Sequence, residues 1–186
     1  MITHHCKNNC CNIKVNEYNI KDPSLVEKKR SRKKAGIFIY DPDSKKVLLV
    51  QSRGRLWGPP KGTIKDSEID KDCAIREVKE ETGINIVESN FLKMMRIKNN
   101  AIYYYVEMKE CNVNIQDHIK NNDANGIGWI KVECLEELIL QGNMALNRHA
   151  KYTFNRFLNK QFQESNFIEM CKTKKYTKQR PKSADF

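Results

Sequence analysis

Glutamates stand at 77, 80 and 81 in "REVKEETG", residues 76–83, of a 186-residue chain whose formal net charge is +11. A helix turns by about 100° per residue, so the three carboxylates share an arc of roughly 100°. Carboxylates that close raise one another's pKa unless a cation stabilises them. Oxygen donors with no His or Cys among them suit Mg²⁺ or Mn²⁺ rather than zinc. Taken alone, the octet would also serve as a solvated face, since Lys79 interrupts the acid. Ala74, Ile75 and Val78 occupy the adjoining arc and give the helix a side to bury.

The wider spacing decides between these readings. From Gly62 the chain reads "GTIKDSEIDKDCAIREVKEETGI", which resembles the Nudix hydrolase signature G-x5-E-x7-R-E-U-x-E-E-x-G-U, with U apolar. Gly62, Glu68, Arg76, Glu77, Glu80, Glu81 and Gly83 fall on its fixed positions, and Val78 and Ile84 on the apolar ones. With each residue type at a frequency of roughly one in fifteen, such a match arises by chance on the order of 10⁻⁸ per start position. The resemblance implies an α/β Nudix fold, a mixed β-sheet sandwiched by helices, and hydrolysis of a nucleoside diphosphate linked to another group. It implies that Glu77, Glu80 and Glu81 act in catalysis by holding Mg²⁺ or Mn²⁺, that Arg76 and Glu68 orient them, and that Gly62 brings backbone close to the metal. A metal there would bridge phosphate oxygens, neutralise developing charge and activate water.

"WGPPKG" (57–62) and "DCAIREVKEETG" (72–83) are similar to the catalytic domain of eukaryotic mRNA-decapping enzymes, with Pro59 where that family has Phe. Hydrolases of diphosphoinositol polyphosphates and dinucleoside polyphosphates share parts of the same loop. The likeness implies Lys61 and Trp57 as substrate-binding residues, although Trp57 would equally anchor the loop in the core. It also implies an acidic residue on a late loop as metal ligand or general base. Asp123, six residues before Trp129, is the candidate, with Asp117 and Glu107 as fallbacks and Gly128 where the family has Glu. A basic helix that binds RNA follows the catalytic fold in that family. Here 144–162 is amphipathic, with Arg148, Lys151, Arg156 and Lys160 outside its apolar face. The regulatory domain that precedes the catalytic domain in cellular decapping enzymes has no counterpart in the 34 leading residues, so activation through it cannot be assumed.

These residues need a scaffold. "AGIFIYD" (35–41) and "KKVLLVQSR" (45–53) read as strands joined by the Asp-Pro turn "DPDS", and "GRLWGPPKGT" (54–63) as a loop. A helix fits from Asp66 or Ser67 to Gly83. "INIVE", "FLKMMRI", "AIYYYVEM" and "IGWIKV" read as strands, and "LEELIL" as a short helix. Tyr103 and Tyr105 would share one sheet face and Tyr104 the other. The organisation expected is a basic, polar arm over 1–33, a Nudix domain over 34–162 that includes the additional C-terminal basic helix, and a basic tail over 163–186.

The 34 Lys and Arg against 23 Asp and Glu point to a polyanionic partner. No run of about 18 apolar residues argues for a membrane span, and the N-terminus lacks a signal-peptide core. Seven irregularly spaced cysteines fit a reduced, cytoplasmic protein. His4, His5, Cys6, Cys10 and Cys11 include enough ligands for zinc, but their adjacent pairs are poorly spaced for one tetrahedral ion, and a flexible tail is the expectation. The function expected is removal of the 5′ cap of mRNA, releasing 7-methylguanosine diphosphate and 5′-monophosphate RNA. The alternatives are hydrolysis of diphosphoinositol polyphosphates, dinucleoside polyphosphates or other nucleotides, and a non-catalytic module, which the intact glutamates disfavour.

Overall fold

The computed structural model describes residues 1–16, 32–52, 56–98, 100–119, 122–159 and 171. Its backbone is one mixed sheet with helices on both faces. β1 (Ile2–His4), β2 (Asn12–Val15), β3 (Lys34–Asp41) and β4 (Lys46–Ser52) come first. β5 (Leu56–Gly58) and β6 (Lys61–Thr63) lead into α1 (Asp70–Thr82). β7 (Lys93–Ile97), β8 (Ala101–Glu107) and β9 (Ala124–Lys131) precede α2 (Val132–Leu140), β10 (Ala145–Leu146) and α3 (Arg148–Leu158). The main path runs β1-β2-β9-β4-β3-β8-β7, with β3 and β8 parallel.

Side-chain alternation divides the core in two. Phe38, Tyr40, Tyr103 and Tyr105 face the layer built by α2 and α3, where Phe154, Phe157 and Leu135 are buried. Ile37, Ile39, Tyr104 and Val106 face the opposite layer, closed by Cys73, Ala74 and Val78 of α1. The three consecutive tyrosines therefore serve both layers, as their alternation predicts.

A split in the sheet makes room for chemistry. β3 and β4 pair only at Tyr40–Val47 and Asp41–Lys46, beside the Asp-Pro turn, and then part. The segment 56–63 fills the wedge: β5 pairs with β4, and β6 pairs with β3. What reads as a loop in sequence is thus two short strands, because Gly and Pro at close intervals conceal pairings of only two or three residues.

Other expectations change at element ends. α1 begins at Asp70, not Asp66 or Ser67. Ser67 has φ of 65°, and the Glu68 amide donates to the Lys65 carbonyl, so a turn precedes the helix. Gly83, at φ of 78°, ends it as expected. "INIVE" is not a strand, although Ile84 and Ile86 are buried, since one extended segment can bury alternate residues without a pairing partner. Of the helix expected over 144–162, Ala145 and Leu146 instead form β10 against β5, and the Asn147 side chain then caps α3.

The start of the chain is not a polar arm. β1 and β2 extend the sheet beyond β9, with Cys6, Cys11 and Ile13 buried. Their apolar residues are too few and interrupted to show a strand pattern. The remainder of the expected arm, 17–31, lies outside the described residues, as does the C-terminal tail apart from Cys171, which packs partly buried against the core. Among the described residues, no helix is long and apolar enough to cross a membrane.

Candidate active site

Beside the wedge, α1 carries the carboxylates. Its buried face fixes its rotation, so residues 76, 77 and 80 turn toward β6 and the opening, while Glu81 is buried against the Lys61 amide. Arg76 binds three of the acids: Nε donates to Glu68 at 2.6 Å, and Nη1 donates to Glu77 at 2.6 Å and Glu80 at 2.9 Å. Its Nη2 reaches the second Glu68 oxygen at 3.0 Å. Only the planar guanidinium fork has the geometry for so many carboxylate oxygens. Arg76 beside it holds Glu68 down to about 2. The same pairs raise the Arg76 pKa.

Glu77 and Glu81 are held the other way. Burial raises the Glu77 pKa, with Glu80 and Asp123 adding to it against the pull of Arg76. Burial pushes Glu81 up to about 8; Lys61 opposes this, while Asp123 and Glu77 reinforce it. The Lys61 amide donates to the Glu81 carboxylate at 2.9 Å. A Cβ placed on Gly62 would stand 1.9 Å from the Glu77 carboxyl carbon, so glycine makes the cradle for that group.

Asp123 reaches the same place from another loop, lining the opening with Glu77 and Glu80. Asn122 positions it: its side-chain amide donates to the Glu80 carbonyl at 3.0 Å and to the Gln116 carbonyl at 3.1 Å. Asp117 instead accepts from Asn16, and Glu107 from Tyr105, so neither fallback joins the cluster. Buried and half-buried carboxylates from α1, supplemented by Asp123, form an all-oxygen donor set whose mutual repulsion a divalent cation would relieve. By donor type the residues fit Mg²⁺ or Mn²⁺, once Glu77 and Glu80 turn from Arg76 toward a shared ion.

The cavity in front of them holds about 580 Å³. Lys61 lines it, as expected, and so does Arg148 at the start of α3. Arg32 and Lys34, at the end of the basic N-terminal run, and Lys65 join that positive wall, though no spacing in the sequence marks them individually as cavity residues. His149 is a further lining residue that sequence reasoning missed. Its Nδ1 meets the Tyr103 hydroxyl at 3.0 Å. Burial, then Lys61, Lys34 and Arg148, push its pKa down to about 4.

Not every expected residue arrives. Trp57 is buried against Gly126 and offers no open face to a substrate; β5 needs its ring as core. Lys151 is half-buried, and burial lowers its pKa, so it is not part of an exposed basic face. Arg156 is exposed along α3, and Lys160 lies outside the described residues.

A family model of the NUDIX domain matches residues 30–153. The chain belongs to the Nudix family. Hydrolase 111R of Invertebrate iridescent virus 3 is 31% identical over 145 residues, covering 75% of this chain and 83% of that protein. The m7GpppN-mRNA hydrolase of Caenorhabditis elegans is 35% identical over 122 residues, but these cover 58% of this chain and only 15% of that enzyme. The asymmetrical bis(5′-nucleosyl)-tetraphosphatase of Mus musculus is 32% identical over 104 residues, covering 50% of this chain and 69% of that enzyme. In fold, a MutT Nudix hydrolase of Burkholderia pseudomallei superposes with a TM-score of 0.52 at 17% identity, over 69% of this chain and 99% of that one. This Nudix chain thus spans most of its viral relative and a small part of the nematode enzyme.

Proposed function

We propose that this Nudix protein removes the 5′ cap of RNA, adding water across a phosphoanhydride bond to release 7-methylguanosine diphosphate and 5′-monophosphate RNA. The observation that carries the reading is the cavity's mixed lining, in which Glu77, Glu80 and Asp123 share one space with Lys34, Lys61 and Arg148. Arg156 continues the positive charge along α3, beyond what a small nucleotide would need. The nematode relative, an m7GpppN-mRNA hydrolase, supports the same substrate class.

Glu77, Glu80, Glu81 and Asp123 would hold the divalent cation, which supplies electrostatic stabilisation to the phosphates and lowers the pKa of water. Arg76 and Glu68 keep the glutamates pointed into the cavity. Lys61 carries its charge beside Glu81 and at the cavity wall, placed to bind phosphate oxygens. Lys34, Arg148 and Arg156 would contact the phosphodiester backbone, a contact that carries no sequence information and weakens with salt. His149, largely neutral near pH 7, would position through Tyr103 rather than carry charge.

A second reading, hydrolysis of dinucleoside polyphosphates, draws on the mouse relative. Cap-labelled RNA, a dinucleoside tetraphosphate and a diphosphoinositol phosphate, offered side by side with Mn²⁺, separate the two. Decapping predicts 7-methylguanosine diphosphate from RNA, gone with Glu80→Gln and with chelator. Turnover of the small substrates alone, indifferent to RNA, would refute it.

A further inference from the structure

Four cysteines outside the catalytic cavity converge on one point. Cys6, Cys10 and Cys11 lie on the connection between β1 and β2, and Cys134 lies in the first turn of α2, on the sheet face opposite α1. Their sulfurs all lie within 4.8 Å of one another. Cys10 Sγ is 3.4 Å from Cys6 Sγ, 3.4 Å from Cys134 Sγ and 3.9 Å from Cys11 Sγ.

We propose that Cys6, Cys10, Cys11 and Cys134 bind a single structural Zn²⁺ ion that fastens the β1–β2 hairpin to α2. Zinc–sulfur bonds of about 2.3 Å in a tetrahedron place the sulfurs about 3.8 Å apart, within the spread of separations here. A disulfide needs about 2 Å and one chosen pair. Cys10 instead stands equally far from Cys6 and Cys134. The Lys131 amide donates to Cys11 Sγ at 3.3 Å, an outer hydrogen bond that supports a charged sulfur ligand. Cys134 stands in the first turn of α2, at the positive end of the helix dipole, which favours a negatively charged ligand. The loop is wrapped for ligation: the Asn9 amide donates to the Cys6 carbonyl at 2.8 Å, and Asn9 takes φ of 56°, bringing Cys10 back toward Cys6.

Binding exchanges the thiol protons for the ion: up to four are released to solvent, and no oxidant or reductant takes part. The N-terminal run alone offers poorly spaced ligands. The fold completes the set with Cys134, 124 residues along the chain from Cys10. This site stands apart from whichever phosphoanhydride the glutamates hydrolyse.

The test uses the full chain, purified without a metal-affinity step and passed through zinc-containing then metal-free buffer. Elemental analysis is expected to find about one zinc per chain, and cobalt substitution to give tetrahedral d–d bands with sulfur-to-cobalt charge transfer. Glu80→Gln and Cys111→Ser should retain the zinc, whereas Cys6→Ser and Cys134→Ser should lose it. Should a ligand variant fail to fold, mercurial titration of the unaltered chain decides, with zinc released across about four equivalents of thiol. Zinc far below one per chain, iron in its place, or a disulfide joining any two of these cysteines would overturn the proposal.

Discussion

Replacing Gly62 by alanine separates site geometry from fold. The added Cβ would stand 1.9 Å from the Glu77 carboxyl carbon and 2.0 Å from both oxygens, against ordinary contacts that begin at 3.4 Å. The carboxylate must therefore retreat by at least about 1.5 Å, the difference between 3.4 and 1.9 Å. A misplacement of about 1 Å costs on the order of 100-fold in rate, so kcat/KM should fall at least about 100-fold, or ~2.7 kcal/mol. The group displaced is the far end of a flexible side chain, and its 2.6 Å bond to Arg76 is partly exposed. Loss of that bond should cost no more than about 1 kcal/mol, a Tm shift of roughly 2–4 °C. Gly36→Ala is the contrast, since its Cβ would meet the Pro60 carbonyl oxygen at 2.4 Å, which is backbone and cannot swing away. Thermal unfolding, Mn²⁺ titration and hydrolysis on both variants form the assay. Wild-type kcat/KM and metal affinity in Gly62→Ala, or unfolding as severe as in Gly36→Ala, would refute the reasoning.

Asp41 is nearly buried and accepts from the amides of Asp43 and Glu110, each at 2.9 Å, and from the Ser44 hydroxyl at 2.8 Å. Burial opposes its charged form, but these bonds win and lower its pKa from 3.8. Its stabilisation is thus present above the unfolded value and lost as pH falls through the lower folded one. Asp41→Ala should cost about 2–3 kcal/mol at pH 7, or roughly 4–12 °C in Tm, with a smaller difference in acid. His149, at about 4 against 6.5, titrates lower in the folded chain, so stability should decline as pH falls between those values. His149→Gln should remove on the order of 1–2 kcal/mol of that decline, discounted for partial exposure, as read from Tm across pH. Asn122→Ala should loosen Asp123 and lower kcat/KM by about 10–100-fold while shifting Tm only a few degrees, measured by steady-state kinetics and thermal unfolding.

The Nudix box was legible because its chemistry is local: residues 62–83 carry the acids, their orienting arginine and the glycine cradle on one turn and one helix. Strands with long buried runs, such as β3 and β8, were legible for the same reason. What sequence missed depends on distant pairing. β5 and β6 exist because the sheet splits beside them, and β1 and β2 because β9 has a free edge to cover. Trp57 reads in sequence equally as a substrate contact or a core anchor, and only the fold, which buries it against Gly126, decides for the core. Asn122, Lys34 and His149 carry no spacing signal; only the fold brings Lys34 and His149 to the cavity and ties Asn122, beside Asp123, to the Glu80 carbonyl.

The most direct test of the central claim is the product formed from cap-labelled RNA with Mn²⁺. Release of 7-methylguanosine diphosphate by the unaltered chain, abolished in Glu80→Gln at unchanged Tm, is the predicted result. No diphosphate product at any Mg²⁺ or Mn²⁺ concentration, or equal release by Glu80→Gln, would contradict it.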